Sequence, residues 1–77
     1  MGWEEKNDML QKEFLFDTFD DAVIFVDKIV PLANAKEHHP DILIHSYSKV
    51  RVMLTTHDKG KVTEKDREMA GLIDNID

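Results

Sequence analysis

The chain of 77 residues contains no cysteine. No disulfide can staple it and no thiolate can hold a metal, a composition that suits a reducing compartment, so a cytoplasmic location is expected. Basic charge is also scarce: 10 Lys and Arg stand against 16 Asp and Glu, a net charge of −6 with neutral histidines. That balance repels a phosphate backbone, and no basic stripe offsets it. Lys59-Gly60-Lys61 is too short a basic turn to anchor the chain to a membrane. Long hydrophobic runs are missing, and Met1-Gly2-Trp3-Glu4-Glu5 does not have the pattern of a signal peptide. Neither nucleic acid nor a membrane is therefore an expected partner. Linkers, repeats and low-complexity stretches are absent too, which points to one domain over residues 1–77. A core built from so few residues is marginally stable alone, and self-association is the expected remedy.

What is present alternates strand-like and helix-like patterns. Trp3 to Lys6 reads as a short strand, Asn7-Asp8 as a turn, and Met9 to Phe16 as a second strand. Asp17 or Thr18 offers an N-cap, with Asp20 and Asp21 favourably placed in the first helical turn. Phe19, Ala22, Val23, Val26, Ile29, Val30 and Ala33 then follow helical spacing. Phe25, Ile29 and Leu32 widen that apolar face beyond what one sheet covers, leaving either a broad core stripe or a surface for a partner subunit. Pro31 falls inside this helix and is expected to kink it. The helix should end before His39-Pro40. Asp41 to Tyr47 and Val50 to Thr56 read as an antiparallel pair joined at Ser48-Lys49, with Val50, Val52 and Leu54 facing the core. Thr63-Glu64-Lys65-Asp66 resembles a capping box that opens a last helix through Met69, Ala70, Ile73 and Ile76. The order strand, strand, helix, strand, strand, helix predicts an α+β fold, a four-stranded antiparallel sheet with two helices packed on one face.

Histidine carries the chemistry. Glu37-His38-His39-Pro40 ends the first helix, and His57 ends the last strand. An antiparallel hairpin brings those two places to one end of the sheet. Imidazole exchanges a proton near neutrality, so such a cluster suits proton transfer, a metal or a pH switch. Adjacent side chains on an extended backbone point apart, so His38 and His39 cannot share one direction. Zinc fits poorly, because neighbouring ligands are awkward and no helical His-x-x-x-His spacing occurs.

These residues resemble the pterin-4a-carbinolamine dehydratase family. The likeness rests on Glu37-His38-His39-Pro40, Tyr47, Thr55-Thr56-His57-Asp58, and Asp66 early in the last helix. The text around them matches as well, from Phe14-Leu15-Phe16 through Phe19, Ala22 and Phe25 to Ala70 and Ile73. The resemblance implies a cofactor-free, metal-free lyase that dehydrates a 4a-hydroxytetrahydropterin to the quinonoid dihydropterin. It implies His38 and His57 as acid and base, with His39 holding and orienting the pterin. His39, Asn34 and Glu37 form the implied substrate-binding set, and a homodimer or homotetramer is the implied assembly. Two departures stand out. Asn34 occupies a position where the family often has glutamate, and an amide can neither exchange a proton nor carry charge. The family's usual helix before the Trp3 region also has no counterpart.

Plainer roles are expected for the remaining polar residues. Asp66 reads as a helix-cap carboxylate, Tyr47 as a strand residue with a solvated hydroxyl, His45 as an exposed strand residue and Trp3 as a surface-packed indole. Glu4, Glu5, Glu13, Asp20 and Asp21 read as a solvated face. The rival functional readings are a non-catalytic interaction or dimerisation module on the same fold, and acid/base chemistry on another heterocycle.

Overall fold

The computed structural model describes residues 2–76. Its elements are β1 (Glu4–Lys6), β2 (Met9–Leu15), α1 (Phe19–Lys36), β3 (Asp41–His45), β4 (Lys49–Leu54) and α2 (Glu64–Asp74). The four strands form one antiparallel sheet in the order β1-β2-β4-β3, as the alternating patterns predict.

Strand period decides which face each residue takes. Leu10 pairs with Leu54, Lys12 with Val52 and Phe14 with Val50, while Ile42 and Ile44 pair with Val52 and Val50 from the other side. These rows face the helices, where Val50, Val52 and Leu54 are fully buried among Ala22, Phe25, Ile29, Met69 and Ile73. Full burial of each such aliphatic side chain stabilises the fold by about 1.5–3 kcal/mol. Phe25 of α1 meets Phe14 and Phe16 with ring centroids 4.7 and 5.0 Å apart. The opposite rows, Glu13–Arg51–Leu43 and Leu15–Lys49–His45, lie on the open face of the sheet.

The ends of α1 are set by local chemistry. The Thr18 hydroxyl accepts from the Asp21 N–H at 3.1 Å, satisfying one of the donors a helix start leaves unpaired. The helix runs without interruption through Pro31. At its far end Glu37 is left-handed (φ 50°), its N–H donates to the Asn34 carbonyl, and the His38 N–H donates to the Ala33 carbonyl. That pair of bonds is a Schellman motif with glutamate in the position glycine usually takes. It turns the chain sharply at His38, so the helix terminator itself aims the histidine pair.

Two expectations about the β3–β4 hairpin need correcting. The connection is Ser46-Tyr47-Ser48 rather than Ser48-Lys49, closed by the His45–Lys49 pair, with Ser46 and Tyr47 both at positive φ. Tyr47 is accordingly a turn residue, 65% exposed, and not part of a strand. The usual turn glycine and asparagine are absent here, which is why the sequence concealed the turn. The last helix also stops at Asp74, with Ile76 packed against the core beyond it.

Candidate functional site

Asp66 is the centre of the arrangement. Its side chain is completely buried at the third position of α2, and both of its oxygens are hydrogen-bonded. Oδ2 accepts from the Thr63 N–H at 2.9 Å, the reciprocal half of the capping box, and from the Thr56 hydroxyl at 2.8 Å. Oδ1 lies 2.5 Å from His38 Nε2. Burial alone pushes the Asp66 carboxyl up, but the Thr63 N–H, the His38 ring and the Thr56 hydroxyl together hold it below the usual aspartate range.

An ionised carboxylate only accepts, so His38 Nε2 carries a proton and donates it to Asp66. The ring is thereby fixed in one tautomer and orientation, and Nδ1 is left as the nitrogen with the free lone pair. A buried carboxylate behind an imidazole holds the ring in place, an arrangement known from sites where histidine serves as acid and base in turn. The His38 side chain is 12% exposed, enough for its ring to reach the surface beside α2.

His39 diverges from its neighbour, as extended geometry requires. Its Nε2–H donates to Asn34 Oδ1 at 3.0 Å. With Val26, Ile29, Val30, Ala33, Asn34, Pro40 and Ile42 it lines a cleft of about 130 Å3 between α1 and the start of β3. Glu37, the left-handed cap, is exposed. His57 is exposed on the turn after β4, one peptide from Thr56, and its carbonyl accepts from the Gly60 N–H at 3.2 Å. The Asp41–Met53 pair puts the approach to β3 and the exit of β4 at one end of the sheet. The bond from Asp66 to His38 and the bond from Asp66 to Thr56 tie those two segments together.

Among the described residues, no three His, Cys, Asp or Glu side chains converge as a metal site. A larger cleft, about 550 Å3, lies at the other end of the domain between β2, α1 and α2. Phe14, Phe16, Ile24, Phe25, Ile73 and Ile76 line it, with no histidine.

Residues beyond the expected set complete the picture. Thr56 continues the inward phase of Val50, Val52 and Leu54 and is buried, a polar residue on an apolar phase that signals a buried partner. The role of Asp66 as the partner of His38 was hidden, because its spacing from Thr63 already explained it as a cap. His45 and Glu13 need correction. Neither is simply solvated: His45 Nε2 lies 2.6 Å from Glu13 Oε2, and Arg51 contacts Glu13 Oε1 at 3.3 Å. Burial pushes the Glu13 carboxyl up, while bonds to His45 and Arg51 and their charges hold it below the ordinary glutamate range. Trp3 packs edge-on against Phe14, and its indole N–H donates to Asp74 Oδ2 at 3.0 Å, the structural role expected of it.

Comparison with known proteins extends this pattern over the chain. A family model described as "Pterin 4 alpha carbinolamine dehydratase" matches residues 1–76. A Sulfurisphaera tokodaii protein named "Putative pterin-4-alpha-carbinolamine dehydratase" is 47% identical over 97% of this chain and 80% of its own length. A protein of the same name from Picosynechococcus is 47% identical over 96% of this chain and 79% of its own length. Among solved structures, a "transcriptional coactivator/pterin dehydratase" from Brucella melitensis superposes with a TM-score of 0.84 at 31% identity, over 95% of this chain and 79% of that one. A pterin dehydratase-like protein described as a RuBisCO assembly factor in the alpha-carboxysome superposes with a TM-score of 0.76 at 25% identity, over 96% of this chain and 87% of that one. With the family model spanning nearly all its residues and relatives of this similarity, the chain belongs to the pterin 4 alpha carbinolamine dehydratase family.

Proposed function

We propose that the protein dehydrates a 4a-hydroxytetrahydropterin to the quinonoid dihydropterin and water, without metal or cofactor. The observation that carries this reading is the His38–Asp66 pair, an imidazole held in one tautomer by a fully buried, ionised carboxylate. The reaction requires an acid to protonate the hydroxyl as its bond to the 4a carbon breaks. It also requires a base to take the proton from the ring nitrogen whose lone pair forms the new double bond. His38, through Nδ1, and the exposed His57 are the proposed pair, and such positioned proton transfers accelerate reactions by roughly 10²–10⁴. His39 and Asn34, with Glu37 beside them, are the proposed pterin contacts.

A cytoplasmic location is part of this proposal, on the absence of cysteine; none of the described helices is long and apolar enough to cross a membrane. Self-association is proposed through α1 and the sheet edge. Phe19, Val23 and Val30 are 47%, 42% and 48% exposed, and with Val26 they form one stripe along α1. The unpaired outer edge of β3 offers backbone groups to a second copy.

The decisive experiment is the dehydration of freshly generated 4a-hydroxytetrahydropterin, followed by absorbance, with His57→Ala as control. Acceleration that disappears in the variant supports the reading. A folded, oligomeric wild type that gives no acceleration sinks it. The weight then moves to a non-catalytic interaction module, a reading favoured by the exposed α1 stripe and by the coactivator and assembly-factor descriptions of the two solved relatives.

A further inference from the structure

Thr56 occupies a position that the reaction chemistry does not itself demand. It is buried, and its backbone is committed on both sides: its N–H donates to the Lys61 carbonyl at 3.1 Å, and its carbonyl accepts from the Lys59 and Gly60 N–H groups at 3.0 and 2.9 Å. These bonds close the turn that carries His57. Gly60 makes that closure possible with φ 65°, a left-handed conformation that residues with a Cβ rarely adopt.

The side chain of Thr56 faces the other way, into the Asp66 network. Asp66 is ionised and accepts only, so the Thr56 hydroxyl must spend its proton on Oδ2, 2.8 Å away. The contact of 2.6 Å between the Thr56 and Thr63 hydroxyls is then directional, with Thr63 donating to Thr56. A one-way chain results, from Thr63 to Thr56 to Asp66, and the remaining oxygen of Asp66 is kept for His38. Hydrogen bonds polarised in series support one another in a buried site. One threonine therefore anchors the turn of His57 through its backbone and the carboxylate behind His38 through its hydroxyl.

We propose that Thr56 is the positioning residue that couples His38 and His57, setting the placement of both rings without touching substrate. The inference rests on the dehydratase reading for its effect on rate, but not for its effect on the rings. Asp66 alone orients only His38, and the Thr56-to-Lys61 turn alone orients only His57. The threonine belongs to both.

The test compares Thr56→Val, which keeps the shape and loses the hydroxyl, with Thr56→Ser, which keeps the hydroxyl and loses the methyl. Imidazole resonances are followed by NMR, and dehydration kinetics are measured alongside. In Thr56→Val the His38 and His57 rings should both move, while His45, bonded to Glu13 on the open face, stays as an internal control. kcat should fall about 10- to 100-fold with KM little changed, the size of effect seen when the hydrogen-bond partner behind a metal-bound histidine is removed. Thr56→Ser should restore both readouts. A folded Thr56→Val with unmoved His38 and His57 rings overturns the proposal, and so does a Thr56→Ser that behaves like the valine variant. Should Thr56→Val not fold, Thr63→Ala removes the hydroxyl that donates to Thr56. It should move the same two rings to a smaller extent, and unmoved rings again overturn the proposal. If the wild type does not turn over the pterin, the dehydratase reading fails and the NMR comparison alone decides this one.

Discussion

His38 and Asp66 are 28 residues apart in the chain, yet His38 Nε2 and Asp66 Oδ1 lie 2.5 Å apart, with the carboxylate fully buried. Three donors converge on this single charge, from the start of α2, the exit of β4 and the end of α1. Asp66 is thus at once a helix cap, a knot between three segments and the orienter of a histidine. Changes at this residue should separate those roles.

Asp66→Asn keeps the shape and removes the charge. The amide replaces one acceptor oxygen by a donor that faces a group already donating to it, so a destabilisation of about 1–3 kcal/mol is expected, read from urea unfolding. The folded-state pKa of Asp66 lies below its unfolded value, so its stabilisation is present in full above about pH 5. That stabilisation is lost as pH falls through the unfolded value near about 3.9 towards the folded one. Unfolding curves between neutral pH and pH 3 should therefore be flatter in Asp66→Asn than in the wild type. Equal slopes would refute the assignment of this charge as a stabilising one.

Glu13 makes a second prediction of the same sign. Its carboxyl is held below the usual range by His45 and Arg51, so the stabilisation is full above the unfolded value of about 4.3 and is lost as pH falls from there through the lower folded value. The pair with His45 is about a quarter to a third exposed, so solvent screening keeps its worth to roughly 0.5–1 kcal/mol. Both Glu13→Gln and His45→Gln should lower the urea midpoint by a similar small amount at pH 7. The double variant should lose less than the sum, because both changes remove the His45–Glu13 bond.

Glu37→Gly relieves a left-handed backbone. A residue with a Cβ is disfavoured at φ 50° by about 1 kcal/mol or more, partly offset by the greater freedom of glycine in the unfolded chain. Stability should rise by up to about 1 kcal/mol in thermal melts. The same variant tests the proposed pterin contact, because loss of a binding carboxylate raises KM whatever happens to the melting temperature. A gain in stability with KM unchanged would remove Glu37 from the site.

Val23→Asp puts a charge in the middle of the exposed α1 stripe while leaving the buried face of the helix intact. If this stripe joins copies of the chain, sedimentation should show a smaller species, with secondary structure retained by circular dichroism. An unchanged mass would restrict self-association to other surfaces, the edge of β3 first among them.

Element order and most helix and strand bounds were legible because each rests on a local period. Alternation along Val50 to Leu54 and helical spacing from Phe19 to Ala33 both survive any tertiary context that buries one face. The Thr18 cap, the Thr63–Asp66 box, the Asn7-Asp8 turn and the divergence of His38 from His39 were also readable, since each depends on residues close in sequence. The Ser46-Tyr47-Ser48 turn escaped, because its left-handed residues are not the types that usually announce one.

Only the tertiary structure decided which charges were solvated and which were paired. Glu13 and His45 are 32 residues apart, and Thr56 and Asp66 are 10 apart. Whether such groups meet depends on strand register and on where a helix lands over the sheet, which side-chain period alone leaves open. The sequence by itself determined a histidine-bearing α+β fold, because strand and helix periods are local. Folding decided that one buried carboxylate would hold His38, because burial excludes water and leaves a charge no partners except the three donors packed against it.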